Sequence, residues 1–227
     1  MKERLERINR RIADAAQDCG RNADDVRLVA VSKTMDAQQV ARAIDAGAEI
    51  LGENYIQEAR DKFNALYDRP AKWHFIGHLQ SNKAKYAVRM FDLIHSVDSL
   101  KLAGVLDKEA RKRGKIQDIL IQVNISREET KSGIDAAEAI ALVRQVALLE
   151  NIRVNGLMTM PPFFDDPERA RPFFRELARL RERIAAAGIP GVQMTELSMG
   201  MTGDFEAAIA EGATLVRIGT AIFGARR

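Results

Sequence analysis

Apolar residues in this chain follow two rhythms that alternate from end to end: short β-branched and aliphatic runs, and longer stretches with apolar residues every three or four positions. Residues 1–20 read as a helix with Leu5, Ile8, Ile12 and Ala15 or Ala16 on one face and Gly20 as its stop. Residues 27–33 are the first strand, and Val40, Ala43 and Ile44 mark a helix ended by Gly47. Residues 49–54 form a short strand that leads into a helix through Ile56, Ala59, Arg60 and Phe63. Strands at 72–77 and 92–97 follow, the first backed by a helix from about 81 to 90 and the second by Leu100, Val105, Leu106 and Ala110. The fifth strand is 116–124, and the helix behind it turns Ile140, Val143, Ala147 and Leu148 toward a core. Residues 152–158 are the sixth; Phe173, Leu177, Leu180 and Ile184 then stripe a helix from about 167 to 187, stopped by Gly188-Ile189-Pro190-Gly191. The seventh strand, 195–199, is the least patterned. A short helix around Phe205, Ala208 and Ile209 separates it from the eighth, 215–218.

Eight strands alternating with helices predict an α/β protein, a single (β/α)8 barrel over residues 1–227 with an extra N-terminal helix. An open doubly wound sheet is the competing fold. No Pro/Gly/Ser-rich linker, long charge run or internal repeat marks a boundary. The apolar segment 157–164 reads either as a lip over a pocket or as core bending at Pro161 and Pro162.

Composition narrows the setting. At 46% hydrophobic and 30% charged, the 227 residues are those of an ordinary globular protein. Basic residues number 35 against 32 acidic ones, without a dense basic block, so charge does not point to nucleic acid. Cys19 is the only cysteine, which excludes an internal disulfide and a thiolate metal cage. The charged start lacks the apolar core of a signal peptide, and no apolar run is long enough to span a membrane. A soluble, cytoplasmic protein is expected.

Three features could carry chemistry. The first strand, apolar at nearly every position as in a sheet covered on both faces, ends in Lys33, at the end of a parallel sheet where active sites are placed. A strand-end lysine is more often a solvated cap. Ser198-Met199-Gly200-Met201-Thr202 after the seventh strand and Gly219-Thr220 after the eighth offer hydroxyls and approachable backbone amides where barrels hold phosphate. Arg217 lies inside the last strand, where a guanidinium needs an acceptor to offset its desolvation, a structural ion pair being the usual case. A lysine amine kept neutral by burial or nearby positive charge attacks aldehydes, and pyridoxal phosphate is the cofactor that exploits this. No phosphate-loop or dinucleotide fingerprint occurs. His74 and His78 fall on a strand and its loop, not on one helix face, and His95 reads as a satisfied interior histidine.

Val29-Ala30-Val31-Ser32-Lys33-Thr34, Gly52-Glu53-Asn54-Tyr55-Ile56-Gln57-Glu58, Trp73-His74-Phe75-Ile76-Gly77-His78-Leu79-Gln80-Ser81-Asn82-Lys83, Ile94-His95-Ser96-Val97-Asp98, Leu197-Ser198-Met199-Gly200-Met201-Thr202 and Val216-Arg217-Ile218-Gly219-Thr220-Ala221-Ile222-Phe223-Gly224 together resemble the pyridoxal-phosphate homeostasis proteins. The likeness covers essentially the whole chain, with Leu51 where phenylalanine is common and Thr202 where serine is common. It implies a barrel like the N-terminal domain of alanine racemase, with pyridoxal 5'-phosphate held as an aldimine on Lys33. Ser198, Gly200, Gly219 and Thr220 would hold the phosphate, Arg217 would face the pyridine nitrogen, and Asn54 would line the cofactor face.

Racemases of this class bring a second base from a further domain and a partner subunit. The chain's end at Arg227, and Tyr55 as the one tyrosine near the active end, with Tyr67 and Tyr86 read as surface or packing residues, imply that this base is missing. The expectation is a non-enzymatic carrier that buffers pyridoxal phosphate and passes it to apo-enzymes in vitamin B6 homeostasis. The alternative is an amino-acid racemase or another pyridoxal-phosphate enzyme using Tyr55, His78 or water. A third, a barrel that only binds proteins, predicts no chromophore. With no large apolar stripe left over, a monomer is expected.

Overall fold

The computed structural model describes residues 1–126, 128 and 132–224. Its frame is a ring of parallel strands: β1 (Arg27–Val31), β2 (Ile50–Glu53), β3 (Lys72–Phe75), β4 (Leu93–Val97), β5 (Gln117–Asn124), β7 (Ile152–Met158), β8 (Glu196–Met201) and β9 (Leu215–Ile218). A two-residue strand, β6 (Ile134–Asp135), pairs with β5 outside the ring. β1 pairs with both β2 and β9, and β4 pairs with β5, so the ring of eight strands closes on itself.

Helices α2 (Ala37–Asp45), α3 (Ile56–Ala65), α4 (Ala84–Met90), α5 (Leu100–Arg111), α6 (Ala139–Val146), α7 (Arg171–Ala186) and α8 (Phe205–Ala210) connect successive barrel strands, as parallel pairing requires. α1 (Lys2–Asp18) buries the expected Leu5, Ile8, Ile12 and Ala16 and packs beside α8 and the closing turn α9 (Thr220–Phe223). Arg4 and Arg21 of this region donate to the carbonyls of Ile222 and Ile209, and Arg11 pairs with Glu206. The N-terminal helix is thus an addition stitched to the barrel's last unit.

Apolar side chains alternate across each strand and build two cores. Those facing outward meet the helices; those facing inward, Val29, Ile50, Leu93, Leu120, Met158 and Leu215, fill the barrel. Each such buried side chain contributes about 1.5–3 kcal/mol. Two residues further along three of these strands, on the same inward face, stand His95, Gln122 and Arg217, all buried. The barrel interior therefore turns from apolar to polar on the way to its C-terminal mouth.

Several predicted details shift. β1 stops at Val31, so Ser32 and Lys33 belong to the loop that follows it. The buried stripe of α7 runs through Phe174 rather than Phe173, after a separate 3-10 turn at Pro167–Arg169. In α6 the buried residues are Ala139, Leu142, Val143 and Val146, while Leu148 lies exposed beyond the helix end. The 157–164 segment starts as the end of β7 and becomes a loop in which Pro161 is buried and Phe163 exposed.

Candidate functional site

The loop carrying Lys33 is fixed at both ends. Asp36 and Gln39 close a capping box at the start of α2, an arrangement worth about 0.5–2 kcal/mol. On the strand side, Ser32 donates its N–H to Gly52 O (3.0 Å) and its hydroxyl to Glu53 Oε1 (2.5 Å). Lys62 of α3 is only 5% exposed, and its Nζ donates to Glu53 Oε1 (2.6 Å) and to Ser32 O (2.7 Å). Thr34 N–H donates to Glu58 Oε2 (3.0 Å), one helical turn before Lys62. Thr34 itself has φ +66°, a left-handed backbone that a β-branched residue rarely takes. Glu53 faces outward from β2 between strand and helix, wholly buried. Burial raises its pKa, opposed by the charge and hydrogen bond of Lys62.

The barrel interior holds a second polar system, in which no carboxylate takes part in the hydrogen bonds among the described residues. Arg217, 4% exposed, donates to Ser198 Oγ (2.6 Å) and Thr159 O (2.9 Å). Ser198 Oγ lies 2.9 Å from His95 Nδ1, and His95 Nε2 lies 3.0 Å from His74 Nδ1. With Arg217 able only to donate, the assignment that pairs Ser198 Oγ and both nitrogens of His95 has Ser198 donating to His95 Nδ1 and His95 Nε2–H donating to His74 Nδ1. Burial and neighbouring positive charge keep both rings neutral: His74 is pushed down to about 3 and His95 well below 6.5. Burial also lowers Arg217 to about 10, against the opposing field of Asp204, so the guanidinium stays charged at neutral pH.

At the ends of β8 and β9 the predicted glycines and hydroxyls converge. Thr202 and Thr220 bring their hydroxyls within 3.4 Å of each other. Gly200 has φ +90°, and a Cβ there would lie 2.6 Å from Ala208 Cβ and 3.0 Å from Phe205 Cα, so no side chain fits this cradle. Gly219 and Thr220 follow β9, the strand hydrogen-bonded to β1, which places them beside the Lys33 loop. Ser198 differs from the other residues expected to hold the phosphate: its hydroxyl is buried between Arg217 and His95.

Asn54 directly follows β2, and the loop after β3 lies so tightly on it that a Cβ on Gly77 would meet Asn54 O at 2.2 Å. Its side-chain Oδ1 is buried without a hydrogen-bond partner among the described residues. Two cavities meet at Asn54, Gly77 and His78: one of about 260 Å3 in the barrel mouth, bounded also by Gln122, Ser132 and Met160, and one of about 570 Å3 reaching along α3 past Tyr55, Arg60 and Lys83. Tyr55 is 56% exposed at this rim. Among the described residues no cluster of His, Cys, Asp or Glu could hold a metal, and no helix is long and apolar enough to cross a membrane.

The structure thus places Lys33, Gly219 and Thr220 just beyond neighbouring strand ends, keeps Gly200 inside β8, which runs on to Met201 instead of ending at 199, and puts Arg217 beneath with Ser198. Sequence reasoning missed Glu53, Glu58 and Lys62. The available signals were the Glu58–Lys62 spacing of four and a glutamate closing an apolar strand, the same oddity that marked Lys33.

A protein-family model described as alanine racemase, N-terminal domain, matches residues 4–227. The pyridoxal phosphate homeostasis protein of Aquifex aeolicus is 43% identical over 225 residues, covering 99% of this chain and 98% of its own. The protein of the same name from Escherichia coli K12 is 44% identical over 227 residues, covering 98% and 95%. PipY of Synechococcus elongatus, solved with PLP bound, superposes with a TM-score of 0.82 at 37% identity over 94% of this chain and all of its own.

Proposed function

This chain belongs to the family of the pyridoxal phosphate homeostasis proteins, and from that membership we propose that it binds pyridoxal 5'-phosphate as a carrier, one domain over residues 1–227. When bound, the cofactor supplies an aldehyde that an amine holds covalently and reversibly. Lys33 is the residue that holds it, from a loop braced on both sides. Thr202, Thr220 and the amides around Gly200 and Gly219 would bind the phosphate, and Asn54, whose Oδ1 has no partner among the described residues, would line the ring. Arg217, kept in place by Ser198 and Thr159, would face the pyridine nitrogen and would disfavour its protonation, since a second positive charge there is unfavourable. That weakens the ring as an electron sink and suits storage better than turnover.

The observation that carries this reading is the juxtaposition of the Lys33 loop on β1 with the Gly219-Thr220 turn on β9, its hydrogen-bonded neighbour. Apo-enzymes that need the cofactor are the proposed recipients. The test is the visible spectrum of the protein and of Lys33→Ala, before and after borohydride reduction, with the pyridoxyl adduct located by mass spectrometry. A yellow protein with its adduct on Lys33, which transfers cofactor to an apo-enzyme without exchanging an amino acid's α-hydrogen for solvent deuterium, supports the carrier. Useful deuterium exchange would favour the racemase instead, and a colourless protein that takes no label would remove the cofactor altogether.

A further inference from the structure

Resting on that attachment, we propose that Lys62, Glu53 and Glu58 are positioning residues, through which α3 holds the peptide on both sides of Lys33 and sets how slowly the protein releases its cofactor. Nearly every polar backbone group flanking Lys33 is tied down. Ser32 N–H is on Gly52 O, and Ser32 O takes both Lys62 Nζ and the N–H of Met35. Thr34 N–H is on Glu58, and the Ser32 hydroxyl is on Glu53. A solvated strand-end lysine needs none of this.

The brace is also expensive. Burying a carboxylate and an ammonium between a strand and a helix costs desolvation that an apolar contact at the same place avoids, and such pairs are often neutral or unfavourable for stability. Glu53 Oε2 remains buried and unpartnered among the described residues, which adds to that cost. Thr34 meanwhile sits in a strained conformation that persists only where its surroundings over-determine it. Charge burial and backbone strain converge on the three residues 32–34. Stability does not account for that convergence; fixing the origin of the Lys33 side chain does, because small displacements of a reacting group change rates by large factors.

The experiment loads pyridoxal 5'-phosphate onto wild type, Glu58→Gln, Lys62→Arg, Lys62→Met and the double variant Glu53→Gln/Lys62→Met. It then follows transfer to an excess of apo-enzyme, together with the visible absorbance maximum and the melting temperature of the cofactor-free protein. The double variant removes both buried charges, so it folds where Lys62→Met alone leaves Glu53 stranded. We expect it to label on Lys33 yet release roughly tenfold faster, with a displaced absorbance maximum, and Glu58→Gln to release about threefold faster. Lys62→Arg, which keeps a donor, is expected to fall between wild type and Lys62→Met. Release within about twofold of wild type in both the double variant and Glu58→Gln, each labelled on Lys33, overturns the inference and leaves the proposed function standing. Should the double variant not fold, Glu58→Gln decides, because Glu58 is partly exposed. A wild type that acquires no adduct on Lys33 overturns the proposed function, and this inference with it.

Discussion

The two polar systems of this barrel solve the same problem by opposite means. Around Lys33, between β2 and α3, a buried ion pair braces the backbone and leaves the side chain it serves on the loop. Beneath it, inside the ring, a chain of neutral groups from His74 through His95 and Ser198 holds a single charged side chain, Arg217. Charge serves the scaffold in the first and is confined to one guanidinium, the group proposed to face the cofactor, in the second. Among the described residues no carboxylate hydrogen-bonds Arg217, and Asp204 acts on it only through its field. With Ser198 and a carbonyl as acceptors, the charge remains available.

The sharpest way to break this contrast is to strand a charge. Lys62→Met leaves Glu53 buried without its counter-ion, and unfolding by denaturant is expected to show a loss of about 3–5 kcal/mol. Glu53→Gln/Lys62→Met should recover most of it. A single variant as stable as wild type would mean that Glu53 is already neutral in the folded protein, and the brace would then be a hydrogen bond rather than an ion pair.

The neutral system should yield less to a single deletion. Ser198→Ala removes the hydroxyl between Arg217 and His95 and leaves a buried donor and a buried acceptor unsatisfied, for an expected loss of about 2–3 kcal/mol in the same measurement. Its loaded form should absorb differently from wild type, since Arg217 is then held only through Thr159 O. An unchanged spectrum would separate Ser198 from the placing of Arg217.

Acid distinguishes the two systems by sign. The folded pKa of His74 lies near 3, below the ordinary 6.5, so below pH 6.5 the unfolded chain takes up a proton that the folded protein refuses. Stability contributed by that ring is complete above 6.5 and is lost down to about pH 3, at about 1.4 kcal/mol per pH unit. His95, also lowered, acts in the same direction. Glu53, raised above 4.5, acts in reverse: its contribution is present below that value and lost as pH rises through its folded pKa. Denaturation midpoints from pH 7 to 4 should therefore fall, and His74→Gln should flatten the slope by up to one proton's worth. A slope untouched by that substitution would show His74 to be protonated in the fold.

How much of this was legible in the sequence follows from what each residue has for neighbours along the chain. Lys33 and Arg217 stand out because each interrupts an apolar run, and the strand ends that carry Thr202, Gly219 and Thr220 are set by the same runs. Lys62 sits among Glu58, Arg60 and Asp61 and reads as part of a solvated helix face; its burial depends on Glu53, nine residues back on the preceding strand. The histidine relay joins β3, β4 and β8, a contact that exists only once the ring closes. In α6, apolar residues occupy both candidate faces, Ile140 and Leu148 on one reading and Leu142 and Val146 on the other, so periodicity alone could not phase the helix.

The smallest expected effect tests whether the charged brace stores strain for a purpose. Thr34 at φ +66° carries a left-handed penalty of about 1–2 kcal/mol, which glycine relieves. Glycine also raises the entropy of the unfolded chain by roughly 0.5–1 kcal/mol, so Thr34→Gly should stabilise the cofactor-free protein by about 1 kcal/mol or less. Retention should move the other way. A glycine at 34 lets the peptide leave the geometry that Glu58 and Lys62 impose, and cofactor transfer should quicken about threefold as the melting temperature rises. Opposite movement of stability and retention is the signature of strain held for function. If both rise together, the left-handed turn is merely tolerated, and the brace around Lys33 is scaffolding of the ordinary kind.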